Sequence, residues 1–193
     1  MFPAVASPKR DLVASAVPVE EEPDDFFEAS DQGNFGILFR MQKRILCWFS
    51  KFTKQVSFYK IRELPCYMEG AERFVWLSDS LIFIAGGLVK KTSLSDWFEV
   101  SIISFNCRRM KSMIFRRGHH GLIEYDEMIY AFGGIRDKWD VLMESEVYHI
   151  KQEQWSTIPD MPESGNHISC VKMKKSIYIT SERFSLLVFT PET

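Results

Sequence analysis

From Asn34 onward the apolar residues fall into short runs of four to seven: FGILF, RILCWF, VSFY, RFVWL, LIFIA, WFEVSII, GLIEY, MIYAF, EVYHI, SIYIT and SLLVF. β-branched and aromatic residues dominate them, and polar or glycine-containing stretches separate them at roughly ten-residue intervals, the pattern of strands joined by hairpins. No segment carries a clean helical stripe. Asn34 to Lys54 has apolar residues on too many sides for one helix face, and its aromatic and Cys content favours strands. The expectation is an all-β region over residues 33–193. Residues 1–32 read differently, with four prolines (Pro3, Pro8, Pro18, Pro23), many acids and no sustained period. They are expected to form a disordered acidic tail. Within it Ser7-Pro8-Lys9-Arg10 resembles a proline-directed kinase site and Asp24 to Glu28 an acidic-aromatic docking motif, although a plain solubilising tail explains both.

Two runs end alike: LIFIAGG at residues 81–87 and MIYAFGG at 128–134. A step of 47 superposes them and also carries Glu99-Val100 onto Glu146-Val147. A step of 48 carries Met113 onto Met161, His119 onto His167 and Ile129-Tyr130 onto Ile177-Tyr178, and a step of 94 carries Leu64-Pro65 onto Ile158-Pro159. A period of this size marks a repeat architecture.

One unit is complete: MIYAFGG, then Glu146-Val147-Tyr148, then Trp155, then Ile158-Pro159-Asp160-Met161-Pro162. It resembles the kelch repeat, and the likeness extends over residues 34–193 as approximate units 34–71, 72–118, 119–166 and a truncated 167–193. The resemblance implies a β-propeller of four-stranded antiparallel blades around a channel. It places Gly86, Gly87, Gly133 and Gly134 where the inner strand leaves the sheet, at positions that tolerate positive φ or close backbone approach. Tyr148 and Trp155 become packing groups between blades, each able to bury roughly 150–250 Å². The unit decays elsewhere. At a constant step of 47 its Tyr and Trp positions fall on Ser101 and Arg108, and a two-residue slip offers Ile103 and Met110 instead. Ser181-Glu182 replaces the third glycine pair, and none is present around Phe35 to Phe39. At this period 161 residues make about 3.4 units, against 4 to 8 blades in closed propellers. The expectation is an incomplete or open arc of about three to four blades, either a piece of a longer product or an arc that self-associates through open blade edges.

Composition narrows the function. The formal net charge of -2 divides into -6 over residues 1–32 and +4 over the rest, too slight an excess to indicate nucleic acid by itself. The basic cluster Arg108, Arg109, Lys111, Arg116 and Arg117 leaves single-stranded nucleic acid as a lesser alternative. Four cysteines (Cys47, Cys66, Cys107, Cys170) are far apart, and neither a secretory signal nor an apolar run of about 18 residues is present. Reduced thiols in the cytoplasm, or the nucleus, are expected. His119, His120 and His167 invite a metal, but no Cys, Asp or Glu converges with them, so structural roles are expected for these and for His149, with no cofactor. No nucleophile elbow, phosphate loop or zinc-protease motif occurs, so no catalytic residue is assigned. A carbohydrate-active or oxidising enzyme on a propeller scaffold is the alternative from another class.

Binding is expected on the connections after the glycine pairs. Leu88 to Trp97 offers Lys90, Lys91 and Trp97, and Ile135 to Glu144 offers Arg136, Lys138, Trp139 and Asp140, an aromatic anchor among charges of both signs. The reading is a non-enzymatic interaction module for a protein or peptide. Because no BTB-like helical domain precedes the repeats here, the resemblance implies no ubiquitin-ligase adaptor role.

Overall fold

Apolar runs without polar alternation arise where a sheet is covered on both faces, and this chain shows why. The computed structural model describes residues 71–191 except 79, 102, 105, 138 and 139, together with the backbone of three earlier strands. The tail 1–32, with Ser7 and the Asp24 to Glu28 motif, lies outside the described residues. The earlier strands, β1 (Phe35–Phe39), β2 (Ile45–Phe49) and β3 (Val56–Lys60), form an antiparallel sheet. The next sheet runs β4 (Arg73–Ser78), β5 (Leu81–Ala85), β8 (Trp97–Ser101) and β9 (Cys107–Arg109), with a ribbon of β6 (Leu88–Val89) and β7 (Thr92–Ser93) between β5 and β8. A third repeats the plan with β10 (Gly121–Tyr125), β11 (Met128–Phe132), β14 (Ser145–His149) and β15 (Gln154–Ile158). Its ribbon is β12 (Ile135–Asp137) and β13 (Asp140–Val141). A three-stranded sheet follows: β16 (Ser169–Met173), β17 (Ser176–Thr180) and β18 (Leu187–Phe189). The fold is an all-β series of antiparallel blades.

Strand β11 has two apolar faces. Ile129 and Ala131 pack with Phe83, Ala85, Trp97, Tyr148 and Trp155 from the β4–β9 interface. Tyr130 and Phe132 pack with Val147, Ile177, Ile179 and Phe184 on the other side. With one blade on each side, both sets of alternating positions must be apolar. Seven strands lie outside the apolar runs of the sequence: β6, β7, β9, β12, β13, β15 and β16. They are two- or three-residue ribbon and edge pieces, the outer strand β15 with a single buried residue, Trp155, and β16, whose side chains are mostly exposed.

Two expectations need correction. The glycine pairs do not end inner strands. Strand β10 contacts both β4 and β16, so the first strand of each sheet lines the inside of the arc, and the pairs follow the second strands, β5 and β11. Nor does either proposed register apply to the Tyr and Trp positions. Ile129 pairs with Tyr148 and Tyr148 with Trp155, while Ile82 pairs with Val100 and Val100 with Cys107. Val100 and Cys107, not Ser101 and Arg108 or Ile103 and Met110, therefore occupy those places. Along the second strand and its glycine pair the step is 47, and from the third strand onward it is 48, because the second ribbon carries one extra residue. A register irregularity between Ile135 and Asp137 lies in that ribbon.

The glycine pair works through the backbone. Gly86 donates its N–H to Asp96 O (2.8 Å) and Gly87 to Arg117 O (3.0 Å), and Gly133 and Gly134 repeat these bonds to Glu144 O and Gly165 O. Gly86 has φ of 62° and Gly133 of 51°. A Cβ on Gly86 would stand 2.2 Å from the Arg117 carbonyl oxygen, so the conformation and the close approach both demand glycine. Gly86→Ala is expected to destabilise the chain by at least about 2 kcal/mol, read from the urea midpoint. An unchanged midpoint would remove the role given to this glycine.

Candidate functional site

Because Arg73 pairs with Ala85 and Gly121 with Phe132, the starts of the inner strands and the glycine ends of the second strands lie at one end of each sheet. Both ribbons rise from that end. They pack side by side: Ser93 Oγ donates to Ile135 O at 2.6 Å, and Gly118 and Ile135 exchange both backbone bonds, at 2.9 and 2.8 Å.

Beneath the ribbons lies a buried ion pair. Arg117 and Glu146 are both fully excluded from solvent, with Nη2 2.9 Å from Oε1. Arg117 Nη1 donates to Gly133 O (2.6 Å) and Glu144 O (3.0 Å), and its backbone N–H donates to Leu94 O. Glu146 accepts from the N–H groups of Ile114 (2.7 Å) and Phe115 (3.4 Å). Burial pulls the guanidinium below its usual range and pushes the carboxyl above its own; each partner opposes the other's shift. Neither residue repeats. Phe98 stands in the Glu146 register of the preceding sheet, and Gly165 follows Arg117 at the 48-residue step.

Lys90 and Lys91 form the exposed two-residue turn of the first ribbon, with φ of 46° and 68°. Positive φ at both central residues is the geometry of a tight hairpin turn that favours Asn-Gly. In the second ribbon Arg136 Nε donates to Asp140 Oδ2 (2.6 Å), and Nη1 stands 3.5 Å from Glu144 Oε1. The Asp140 hydrogen bond is the main cause that raises the Arg136 guanidinium above its usual range. Asp137 receives Arg116 at 3.0 Å. Trp139, expected from sequence to be the aromatic anchor, and Lys138, one of its flanking charges, lie outside the described residues. Trp97 is not a surface residue: it is fully buried, stacked on Phe83 at 4.8 Å and set edge-on to Trp155 at 5.2 Å. Its place at the start of β8 turns it into the core with Tyr148 and Trp155. Sequence reasoning missed Ile114 and Met143, which are exposed at the glycine end. The signal for Ile114 was an apolar pair, Ile114-Phe115, immediately before a basic one.

His119, His120 and His167 share this end, whereas His149, paired with Met128, lies at the other. His119 and His167 occupy equivalent positions with φ of 53° and 50°, and their rings lie 4.1 Å apart. Burial, followed by the charges of His167 and Arg73, lowers the His119 imidazole. His120 is fully buried, neither ring nitrogen has a hydrogen-bond partner among the described residues, and its imidazole lies well below 6.5 through burial and then the Arg117 charge. His149 Nε2 pairs with Ser156 Oγ at 2.8 Å. Among the described residues no three His, Cys, Asp or Glu side chains are placed to bind a metal ion. Burial pushes the Cys170 thiol up to about 12, so it is not a thiolate at neutral pH. The basic cluster is not an open stripe either. Arg108 bridges Glu99 and Glu153, Arg109 pairs with Asp96, Arg116 with Asp137, and Arg117 is buried.

Residues 116–162 match the Kelch motif. The chain is 31% identical over 114 residues to the Kelch repeat and BTB domain-containing protein 2 of Ectromelia virus (strain Moscow), which is 58% of this chain and 20% of that protein. It is 28% identical over 74 residues to Alpha-scruin of Limulus polyphemus, 38% of this chain and 8% of that one. The chain thus aligns with a fifth or less of each of these relatives.

Removing one member of the buried pair strands the other charge, so Arg117→Met or Glu146→Leu alone is expected to cost about 3–5 kcal/mol in chemical denaturation. The double variant should cost clearly less than the sum of the two. Additive losses would show that the pair is not coupled. Lys90→Asn with Lys91→Gly should instead raise stability by about 1 kcal/mol, since it places residues suited to positive φ in the turn. A drop in the melting temperature would contradict the turn geometry. His120 stays neutral in the fold while the unfolded chain takes a proton below pH 6.5. Its contribution to stability is therefore complete above 6.5 and declines as pH falls below it, by up to about 1.4 kcal/mol per pH unit. His120→Phe should flatten the stability profile in that window relative to wild type, measured by urea denaturation at several pH values; parallel profiles would refute it.

Proposed function

As the chain belongs to the kelch-repeat family, we propose that it is a non-enzymatic interaction module that takes a protein or peptide on the face built by its two ribbons. One observation carries this reading: the ribbons are joined to each other and seated on a buried ion pair, so the side chains they present are held on a fixed base. Preorganisation of that kind lowers the entropy lost on binding. The face combines Lys90, Lys91, Arg136 and Asp140 with the exposed apolar groups Ile114 and Met143, a mixture suited to a polypeptide surface. Trp139, between β12 and β13 in sequence, adds the aromatic anchor.

Nucleic acid fits less well, because Arg108, Arg109 and Arg116 are engaged with carboxylates and Arg117 is enclosed. No described helix is long and apolar enough to cross a membrane. A cytoplasmic place of action belongs to the same proposal.

Affinity capture compares wild type with Arg136→Glu, Trp139→Ala and the pair Lys90→Glu, Lys91→Glu, each checked for an unchanged melt. At least one variant is expected to lose a partner that wild type retains, with binding weakened about tenfold or more, as for a hot-spot residue. Retention of every partner by all three variants would discard this face. Binding that collapses steeply with added salt and competes with single-stranded nucleic acid would favour the alternative.

A further inference from the structure

The seam between the β4 and β10 sheets and the seam between the β10 and β16 sheets are built differently. Because Arg73 pairs with Ala85, Gly121 with Phe132 and Ser169 with Thr180, the residues two positions earlier, Ala71, His119 and His167, hold the same place before β4, β10 and β16. All three have positive φ, at 62°, 53° and 50°. At the first seam His119 donates its N–H to Ala71 O at 2.9 Å; at the second the donor is Ile168, one residue further on, and it reaches His119 O at 3.3 Å. The first seam also carries the buried pair of Arg117 and Glu146. Gly165 and Leu187 stand in those two places at the second, so that tie is not repeated.

A pair of imidazoles occupies the second seam. His119 and His167 lie with ring centroids 4.1 Å apart and planes inclined by 36°. Neutral rings stack at this spacing, whereas two unit charges about 4 Å apart repel strongly wherever water is partly excluded. Other charges here do little to relieve that repulsion. Arg73, at the start of β4, acts on His119 with the same sign as a second imidazolium, and Glu182, after β17, opposes them. Behind His119 lies the buried His120, which feels the charges of Arg117 and Arg73. Glu72 and Cys170 lie on the Arg73 side.

We propose that His119 and His167 form an acid-sensitive latch on the seam between the β10 and β16 sheets, closed while the rings are neutral and opened when both carry a proton. An opened seam returns the rings to water, where imidazole takes its proton near pH 6.5. The closed seam resists the second proton, and burial, ahead of the charges of His167 and Arg73, already lowers His119. The contribution of the pair is therefore complete above pH 6.5 and is lost as pH falls below it. Each proton that the open form binds in excess favours opening about tenfold per pH unit. The first seam has Ala71 opposite His119, so no second charge arises there. Protonation of His120 loosens the whole fold, and the latch is therefore read from the difference between the seams. It uses none of the ribbon side chains and is independent of the binding face.

Hydrogen exchange on the whole chain at about pH 7.5 and about pH 5.5, corrected for the intrinsic rate at each pH, separates the two seams. On acidification β16 and β17 should lose protection about tenfold or more, while β4 and β5 lose about threefold or less. His167→Asn places a residue tolerant of positive φ at an exposed position. It should cut the β16 response by at least about threefold, and His119→Asn combined with it should abolish the response. Strands β4 and β5 report in the same experiment that each variant is folded. Three results would overturn the proposal: no added exchange in β16 at the lower pH, an equal loss in all four strands, or a selective β16 response that persists in the double variant.

Discussion

The face with the ribbons depends on one buried ion pair. Arg117 enters from the segment before β10, and Glu146 from the second residue of β14. Between them they reach the backbone of Gly133, Glu144, Ile114 and Phe115. Burying two charges costs several kcal/mol for each ion unless geometry and further hydrogen bonds offset it. Here four backbone groups share the work. The Arg117 main chain completes the tie, accepting from Gly87 and donating to Leu94. One residue thus joins the loop of one blade to the third strand of the next.

This tie is added to a plan that does not need it. The bonds from the glycine pair recur 47 or 48 residues later, with Gly165 in the place of Arg117. Backbone hydrogen bonds carry the repeat, so the side chains at these positions are free to diverge. Arg117 and Glu146 use that freedom to link neighbouring blades, while Val100 and Cys107 use it to lose the Tyr and Trp of the complete unit. Trp97, Phe83, Tyr148 and Trp155 then fill one interface from both sides, with ring centroids 4.8 to 6.1 Å apart. That packing accounts for a tryptophan that looked like a loop anchor.

The two surfaces left to the chain differ physically. The ribbon face is charged, internally paired and seated on backbone bonds. The last sheet shows an uncharged apolar row, Val171, Tyr178 and Val188, aligned across β16, β17 and β18. The charged ribbon face and this apolar row lie on different parts of the blades.

Sequence alone determined the all-β class, the repeat and its period, because these rest on local pattern: apolar runs at strand length and glycine pairs at a fixed step. It also located the two connections that carry the candidate face. It could not place the extra residue of the second ribbon, since one insertion shifts every later match by one and leaves two registers equally plausible. It could not tell that Trp97 faces inward or that Arg117, one of five nearby basic residues, is buried, because both depend on which blade lies alongside. Nor could it see seven strands whose residues are few or polar and whose pairing comes from neighbours. Those points were settled only in the tertiary structure, where burial and register are shared between residues some 48 positions apart.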